Sequence, residues 1–182
     1  MTESFPADLW QQPPLSSLHL QFVPLDFVMH WHRCGLTADY FAAHMAYAFD
    51  NREVVRAVLS TVVNELLENA AKFSQDKARP ASLLMDVFGP WIAIQTRNRA
   101  DARRVDDLQS LFRSFEAQSA EELFMARLAG STDGASSPSG LGLLVLKKDY
   151  AVRLASKIEP LDDGGFDVLL QAVMHTDELE AR

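Results

Sequence analysis

The strongest periodic pattern in the chain lies between Asn51 and Phe73. Apolar residues recur there at intervals of three and four, the spacing that places side chains on one face of an α-helix. These apolar residues are Val55, Leu59, Val62, Leu66, Ala70 and Phe73. The pattern predicts a long amphipathic helix that begins near Asn51 or Arg52 and ends near Phe73.

Short runs of branched and aromatic residues predict β-strands. Residues 81–88 and 91–96 are separated only by Gly89 and Pro90, so they predict two strands joined by a tight turn. Residues 166–174 follow the turn formed by residues 162–165 and predict the last strand.

The N-terminal part of the chain carries two further β-like runs. Residues 1–16 contain three prolines among polar residues and predict a flexible lead-in. Residues 18–23 and 27–32 then predict two strands, with the turn at residues 24–26. Thr37 is a candidate N-cap for a helix that continues to about Phe49.

The C-terminal half predicts two helical regions around a loop. Residues 104–129 show helical spacing of apolar side chains, which suits either packing in the core or a lid that binds a partner. Residues 130–139 are almost all small or polar and predict a flexible loop. A helix is predicted for residues 140–156.

This order of elements predicts an α+β fold, a two-layer sandwich with helices on one face of a mostly antiparallel sheet. A chain of 182 residues suits one domain, which we place at residues 17–182. Nearly half of the residues are apolar, so a core of normal size can be buried without disulfides or metal.

Charge and hydropathy exclude two classes of partner. The formal net charge is −8, and the arginines at positions 97, 99, 103 and 104 are interleaved with aspartates, so we expect no nucleic acid partner. No apolar run is long enough to cross a bilayer, and no signal-peptide pattern occurs. With Cys34 as the single cysteine, we expect a cytoplasmic protein without a membrane partner.

Candidate chemistry begins on the long helix. The Glu65 carboxylate and the Asn69 amide are one turn apart on the same side of that helix, and Lys72 follows three residues later. Mg²⁺ takes oxygen ligands and usually only one or two from protein, and a nearby carboxylate can orient an attacking hydroxyl. The alternative is an amphipathic helix whose polar border happens to hold these residues, although Asn is unfavourable inside a helix without a partner.

A second candidate is the Gly140-Leu141-Gly142-Leu143 segment, between the small-residue loop and the last predicted helix. Glycines at this place allow backbone N–H groups to approach a phosphate, and the helix N-terminus adds partial positive charge. A simple hinge before a helix is the alternative.

Together, Glu-x-x-x-Asn-Ala-x-Lys-Phe-Ser and Gly-Leu-Gly-Leu resemble the GHKL superfamily, which comprises gyrase, heat-shock chaperone, histidine-kinase and mismatch-repair ATPases. The short build resembles its anti-sigma-factor serine kinase branch of small bacterial regulators. The resemblance covers roughly residues 52–175 and implies a Bergerat-type ATP-binding fold.

The resemblance also implies roles for individual residues. Glu65 matches the general base, and Asn69 the residue that binds Mg²⁺ through the nucleotide. Lys72 matches a basic residue that faces the phosphates, and Phe73 an aromatic that lines the nucleotide pocket. Gly140, Gly142 and Leu143 match the end of the family's second glycine-rich motif, where a helix begins.

One departure from the family affects the base-binding end of the pocket. The Asp-x-Gly-x-Gly box, whose Asp binds the adenine amino group, has no counterpart after the strand predicted at residues 91–96. Asn98 is the candidate for a polar contact there, with Thr96 or a water as the alternative. Loss of purine specificity is equally compatible with this segment.

The sequence therefore leaves two functions open. One is a serine/threonine kinase that uses ATP and Mg²⁺ to phosphorylate a protein resembling an anti-sigma-factor antagonist, in a partner-switching signalling system. The other is a degenerate, catalytically weak or inactive module that sequesters a partner protein. A homodimer through the apolar N-terminal runs is a further possibility.

Overall fold

The computed structural model describes residues 9–130 and 140–180, in one sheet and seven α-helices. The strands are β1 (Ser16–Phe22), β2 (Ala81–Phe88), β3 (Trp91–Ala100), β4 (Arg153–Pro160) and β5 (Phe166–His175). The helices are α1 (Pro24–Met29), α2 (His32–Ala46), α3 (Arg52–Phe73), α4 (Ala102–Ala117), α5 (Ala120–Gly130), α6 (Leu141–Tyr150) and α7 (Thr176–Glu180). A single 3-10 turn, Leu9–Gln11, precedes β1.

The five strands form one antiparallel sheet in the order β1-β2-β3-β5-β4. Alternate residues of β2, β3 and β5 point to the same face, and that face is buried in the main apolar core together with residues of α2, α3 and α6. The predicted α+β sandwich, with helices on one face of an antiparallel sheet, is confirmed.

Helix α3 is the centre of the core. Val55, Leu59, Val62 and Leu66 have no exposed surface, and Phe73 at the end of the same stripe is half-buried. Val63 and Leu67 on the adjacent face are also fully buried, since α2 packs along α3. The helix predicted near Arg52 to Phe73 is confirmed, and its burial fixes the position of the polar residues at its border.

The prediction of a strand at residues 27–32 is wrong. This segment contains the end of α1, a turn, and the first residue of α2, His32. Pro24 occupies the first turn of α1, where its fixed φ suits a helix, and Asp26 in the same turn is favoured by the helix dipole. Because α2 already begins at His32, Thr37 lies inside the helix and is not its N-cap.

The predicted helix at residues 140–156 is too long. Helix α6 ends at Tyr150, and Ala151 adopts a left-handed conformation with φ of 52°. The chain then forms β4, a strand missed by the sequence analysis, which pairs with β5 along its whole length. The strand predicted at residues 91–96 is also longer and continues to Ala100.

The helical region predicted at residues 104–129 is two helices. Ser119 separates them and forms a reciprocal capping box with Glu122: Glu122 Oε2 accepts from the Ser119 N–H at 2.9 Å, and Ser119 Oγ accepts from the Glu122 N–H at 3.2 Å. Two predictions concern residues outside the described part of the chain. The flexible loop predicted at 130–139 falls almost entirely on residues 131–139, and the first half of the lead-in predicted at 1–16 falls on residues 1–8. Across the described ranges, no helix combines the length and apolar character that a membrane span requires.

Candidate functional site

A cavity of about 240 Å³ lies between the C-terminal half of α3, the inner face of the sheet and the start of α6. Helix α4 and one residue of α5 close its outer side. The polar side chains that line it are Asn69, Thr96, Asn98, Arg104, Asp107, Ser110 and Arg127. The apolar part of the lining includes Ala70, Leu143, Val168 and Leu170.

Five of the eight predicted site residues line this cavity, namely Asn69, Phe73, Asn98, Gly140 and Leu143. They come from three separate parts of the chain, so the fold brings together residues that the sequence could only relate by motif. Glu65, Lys72 and Gly142 lie beside the cavity rather than in its lining.

Asn69 is anchored to its own helix. Its amide Nδ2 donates to the backbone oxygen of Glu65 at 2.7 Å, so the nitrogen is used within α3. The carbonyl Oδ1 is the remaining polar atom of this side chain, and a carbonyl oxygen is the atom that a divalent cation requires. This local bond explains how the asparagine is accommodated inside a helix.

Gly140 forms the N-terminal boundary of α6 and needs to be glycine for two reasons. Its φ of 86° is left-handed, and a Cβ at this position would lie 2.8 Å from Arg127 Nη1 and 2.9 Å from Leu111 Cδ2. The backbone at the start of α6 therefore lies close to the side chains of Arg127 and Leu111 in the cavity wall. The first N–H groups of a helix, unpaired within it, favour a negatively charged ligand here.

The inner face of β3 supplies the polar floor of the cavity. Thr96 and Asn98 are two residues apart on this strand, so both point towards the helices, with exposed fractions of 1% and 8%. Asn98 Nδ2 donates to the backbone oxygen of Arg99 at 3.3 Å. Thr96 and Asn98 are therefore the polar side chains that β3 turns towards the cavity.

Glu65 contacts Gly142 directly. A Cβ on Gly142 would lie 2.6 Å from the Glu65 Cδ atom and closer still to Oε2. The carboxylate therefore lies against the first turn of α6, next to the cavity wall formed by Gly140 and Leu143. This contact is possible only because residue 142 has no side chain.

Burial raises the pKa of the Glu65 carboxyl above its ordinary value of 4.5. The negative charge of Glu68 raises this pKa further, and the positive charge of Lys72 lowers it. Asn64 Nδ2 donates to Glu68 Oε1 at 2.7 Å and holds that second carboxylate in place. The result is a carboxyl group whose pKa is shifted towards neutrality, as suits a general base.

Lys72 is exposed, and its Nζ lies 5.5 Å from the centre of the Phe73 ring. The guanidinium carbon of Arg104 lies 4.9 Å from the same centre. The Phe73 ring is thus in contact range of two cations, an arrangement that stabilises by cation–π attraction. Phe73 lines the cavity, and Arg104 lies beside its ring.

The sequence analysis missed two guanidinium groups in the cavity, those of Arg104 and Arg127. Arg104 was considered only as one of four arginines interleaved with aspartates. Arg104 shares a helix face with Leu108 and Leu111, at intervals of four and three, and this spacing was the available signal. The same holds for Arg127, four residues after the buried Leu123.

Two other arginines of that stretch are paired on the surface. Arg97 Nη2 lies 2.6 Å from Asp167 Oδ2, and Arg99 is paired with Asp163. These two pairs offset the positive charges of Arg97 and Arg99.

The cavity combines two guanidinium groups, one carboxylate, two amides and the N-terminus of a helix. Asp107 lies 3.6 Å from Arg104, so it offsets part of the positive charge on that side. The positive charge that remains favours an anionic ligand. The apolar residues Val168 and Leu170 favour a ligand that also has an apolar portion.

No protein-family model matches this chain, and no curated protein matches it in sequence. Among solved structures, a chain in the crystal structure of the SiaB–SiaC complex from Pseudomonas aeruginosa is similar to it, with a TM-score of 0.50. The match covers 92% of this chain and 94% of that chain, at 20% sequence identity. At that identity the likeness shows a shared fold.

Proposed function

We propose that this chain is a nucleotide-binding regulatory protein of the GHKL superfamily, and that it transfers the γ-phosphoryl group of ATP to a serine or threonine of a partner protein. The observation that carries the proposal is the joint lining of one cavity by Asn69 and by the start of α6 at Gly140. This is the pairing that the two sequence motifs imply.

Four groups would hold the triphosphate. The guanidinium of Arg127, next to Gly140, would bind phosphate oxygens by charge-assisted hydrogen bonds. The N–H groups at the start of α6 would add further donors. Lys72 would contribute its charge from the rim, and Arg104 would act from the side formed by α4.

Asn69 Oδ1 fits a Mg²⁺ ion held mainly by phosphate oxygens and water. A single amide oxygen is enough for such an ion, which usually takes few ligands from protein. When bound, Mg²⁺ neutralises the charge that develops on the transferring phosphoryl group.

Glu65 is the proposed general base. Its carboxylate lies at the first turn of α6, beside the part of the cavity assigned to the phosphates, and its raised pKa suits proton uptake from a hydroxyl. In this role Glu65 would orient the acceptor hydroxyl and accept its proton as the oxygen attacks the γ-phosphorus, while the bond from that phosphorus to the β,γ-bridging oxygen breaks and ADP leaves.

The partner would be a protein resembling an anti-sigma-factor antagonist, in a partner-switching system located in the cytoplasm. The similarity of this chain to one in the SiaB–SiaC complex supports a regulatory, partner-binding role. Phosphorylation would change the partner's interactions by adding charge at an interface.

A second candidate is a binding module that keeps the fold but not the phosphoryl transfer. Its support is the floor of the cavity: Asn98 and Thr96 stand where an acid would bind adenine, and Arg104 lies beside the Phe73 ring. Such a module would sequester its partner, with nucleotide as a structural ligand or with none.

Isothermal titration of the protein with ATP, with and without Mg²⁺, tests the proposal. We expect saturable binding that is tighter with Mg²⁺, and a loss of that Mg²⁺ dependence in Asn69→Ala. Asn64→Ala is the matched control, because Asn64 is on the same helix but bonds Glu68 and does not line the cavity. No binding at millimolar nucleotide would refute the nucleotide-binding function.

A phosphoryl-transfer assay with γ-labelled ATP then separates the two candidate functions. Its acceptor is a partner protein that has first been isolated by its binding to this chain. We expect Glu65→Gln to abolish labelling of the partner while affinity for ATP changes little. Wild-type protein that binds both ATP and partner without labelling the partner would favour the binding module.

A further inference from the structure

Helix α4 runs along the cavity and so defines its two ends. The helix begins directly after β3, where Asp101 Oδ1 accepts a hydrogen bond from the Arg104 N–H at 2.8 Å. Further along α4, Leu111 lies beside Gly140 at the start of α6. Both Arg104 and Leu111 line the cavity, and their separation along the helix axis is about 10 Å. A ligand that fills the cavity therefore extends from the end of β3 to the start of α6.

The two ends of the cavity differ in charge. At the α6 end, Arg127 and the first N–H groups of the helix favour phosphate oxygens. At the β3 end, the lining includes the uncharged side chains of Asn98, Ala100 and Val168. Asn98 and Val168 are paired across β3 and β5, so the amide and the apolar side chain lie next to each other. An amide beside an apolar surface suits a flat heterocyclic base at this end.

Purine bases differ in the group that they carry at position 6. Adenine has an amino group there, which donates hydrogen bonds, whereas guanine has a carbonyl oxygen, which accepts them. An ionised carboxylate only accepts, so it favours adenine and repels guanine. A primary amide has an oxygen that accepts and an NH₂ group that donates, and rotation about its last side-chain bond exchanges the two. An amide is therefore compatible with both purines.

The Asn98 amide is not locked in one orientation by its neighbours. Its Nδ2 donates to the Arg99 backbone oxygen at 3.3 Å, which is long for such a bond. That bond uses one of the two N–H groups, so the amide retains a donor as well as its acceptor oxygen. Thr96, on the same face of β3, has a hydroxyl that also donates and accepts. Neither side chain imposes a single hydrogen-bond direction on a base.

The charged groups of α4 near this end are engaged with each other. Arg104 Nη1 lies 3.6 Å from Asp107 Oδ2, and the Arg104 guanidinium carbon lies 4.9 Å from the centre of the Phe73 ring. Among the described residues of the lining, Asp107 alone is a carboxylate. Because Arg104 offsets its charge, Asp107 does not present an isolated acceptor that would select adenine.

We propose that the nucleotide site accepts GTP as well as ATP, and that Asn98 is the specificity-determining residue. This rests on the proposed function, because it names the substrate class of the same cavity. With ATP, Asn98 Oδ1 accepts from the amino group at position 6. With GTP, the amide is rotated and Asn98 Nδ2 donates to the carbonyl oxygen at that position. The apolar surface of Ala100 and Val168 packs against either ring system.

Isothermal titration with ATP, GTP and inorganic triphosphate, each with Mg²⁺, tests the proposal. We expect dissociation constants for ATP and GTP that agree within about tenfold. Inorganic triphosphate should bind at least about tenfold more weakly than either, since it has no base to pack at the β3 end.

The outcomes separate this inference from the proposed function. A dissociation constant for GTP more than about tenfold above that for ATP would overturn the inference and leave nucleotide binding intact. Inorganic triphosphate that binds as tightly as ATP would show that the base is not recognised, and would overturn it as well. Failure of both nucleotides to bind at millimolar concentration would refute the proposed function and this inference together.

Asn98→Asp tests the role of the amide, because it keeps the shape of the side chain and removes the donor. We expect the ratio of the GTP constant to the ATP constant to rise at least about tenfold, since the carboxylate and the guanine carbonyl oxygen both accept. Circular dichroism establishes that the variant folds, and the comparison of ATP with GTP in the wild type does not depend on it. An unchanged ratio in folded Asn98→Asp would overturn the proposal.

Gln95→Glu is the matched control. Gln95 is on the same strand, but it belongs to the outer sheet face and is absent from the described lining of the cavity. The substitution adds the same negative charge as Asn98→Asp, so the ratio of the two constants should stay at the wild-type value. An equal rise in both variants would reveal a general charge effect and would contradict recognition of the base by Asn98.

Discussion

The Glu65 carboxylate and the α-carbon of Gly142 are in direct contact, although these residues belong to different motifs and different helices. The contact ties the polar border of α3 to the first turn of α6. It also explains why Gly142 carries no side chain, because the space a Cβ would need is filled by the carboxylate. The geometry of the candidate site depends on this pair.

Replacement of Gly142 by alanine should destabilise the protein by about 1–3 kcal/mol, because the added methyl group overlaps the Glu65 carboxylate. Urea denaturation measures the effect. In a Glu65→Ala background the same replacement should cost far less, since the clashing group is gone, and the difference is the coupling energy of the pair.

Gly35→Ala is the matched control for this prediction. Gly35 lies inside α2, its φ is not positive, and a Cβ there meets nothing within 4 Å. We expect this replacement to stabilise the protein by about 0.5–1 kcal/mol, the usual gain for Gly to Ala within a helix. Equal effects at positions 35 and 142 would contradict the contact between Glu65 and Gly142.

The raised pKa of Glu65 predicts a pH-dependent stability. The folded protein binds the Glu65 proton more tightly than the unfolded chain, so the stability linked to this group is present below pH 4.5 and falls as pH rises through the folded pKa. Glu65→Gln, which mimics the protonated state, should therefore gain stability over the wild type as pH increases from 4.5 towards neutrality. Denaturation curves at several pH values measure this gain, and a gain that shrinks with rising pH would show that the pKa is not raised.

Arg104 should contribute to the affinity for an anionic ligand, and its neighbour should not. Arg104 lines the cavity, whereas Arg103 on the same turn is exposed and absent from its lining. Since a hydrogen bond to a charged group contributes about 1.5–3 kcal/mol, Arg104→Ala should weaken ATP binding by roughly ten- to a hundredfold. Titration calorimetry compares it with Arg103→Ala, and equal losses in the two variants would show a general charge effect instead of a specific contact.

Cys34 should react with thiol reagents only when the protein unfolds. The side chain is 1% exposed, and burial, together with the charge of Glu68, raises the pKa of its thiol to about 11. At pH 8 almost all of the thiol is therefore protonated, and the reactive thiolate is scarce. An aromatic disulfide reagent releases an absorbing thiolate when it reacts with Cys34. This absorbance should rise slowly in buffer and at once in urea. A fast reaction in buffer would contradict the prediction and would mean that α2 opens readily.

The parts of the fold that were predicted correctly are those in which periodicity and burial coincide. Helix α3 was predicted to within a residue because its apolar stripe runs unbroken to the half-buried Phe73. Strand β2 and the first six residues of β3 were predicted from branched residues on either side of Gly89, whose φ of 55° suits a tight turn. In these elements the local preference and the tertiary environment favour the same structure.

The remaining errors arise where the chain departs from local preference. Ala151 ends α6 in a left-handed conformation without being glycine, so no sequence signal marked the boundary before β4. The apolar residues after Pro24 resembled a strand, but Val28 and Met29 are 41% and 69% exposed, so they face outward from α1 instead of filling a sheet. Composition alone cannot show that an apolar run remains on the surface.

The residues of the candidate site also fall into two groups, those that the sequence indicated and those that it did not. Asn69 and Gly140 were singled out by two motifs that are specific in combination, and Asn98 as a candidate polar contact; all three line the cavity. The guanidinium groups of Arg104 and Arg127 were missed, since their place in the cavity follows from how α4 and α5 pack. Their helical spacing from Leu111 and Leu123 places them near an apolar face, but only the packing of the helices shows that this face closes a cavity.

Mapping of backbone amide shifts during titration with Mg²⁺ and ATP tests the central claim most directly. We predict that the perturbed amides cluster at Asn69, Thr96, Asn98 and the first turn of α6, and that residues of the outer sheet face such as Val173 stay unchanged. Saturating perturbations confined to the outer sheet face, or none at all, would contradict a nucleotide site between α3 and α6.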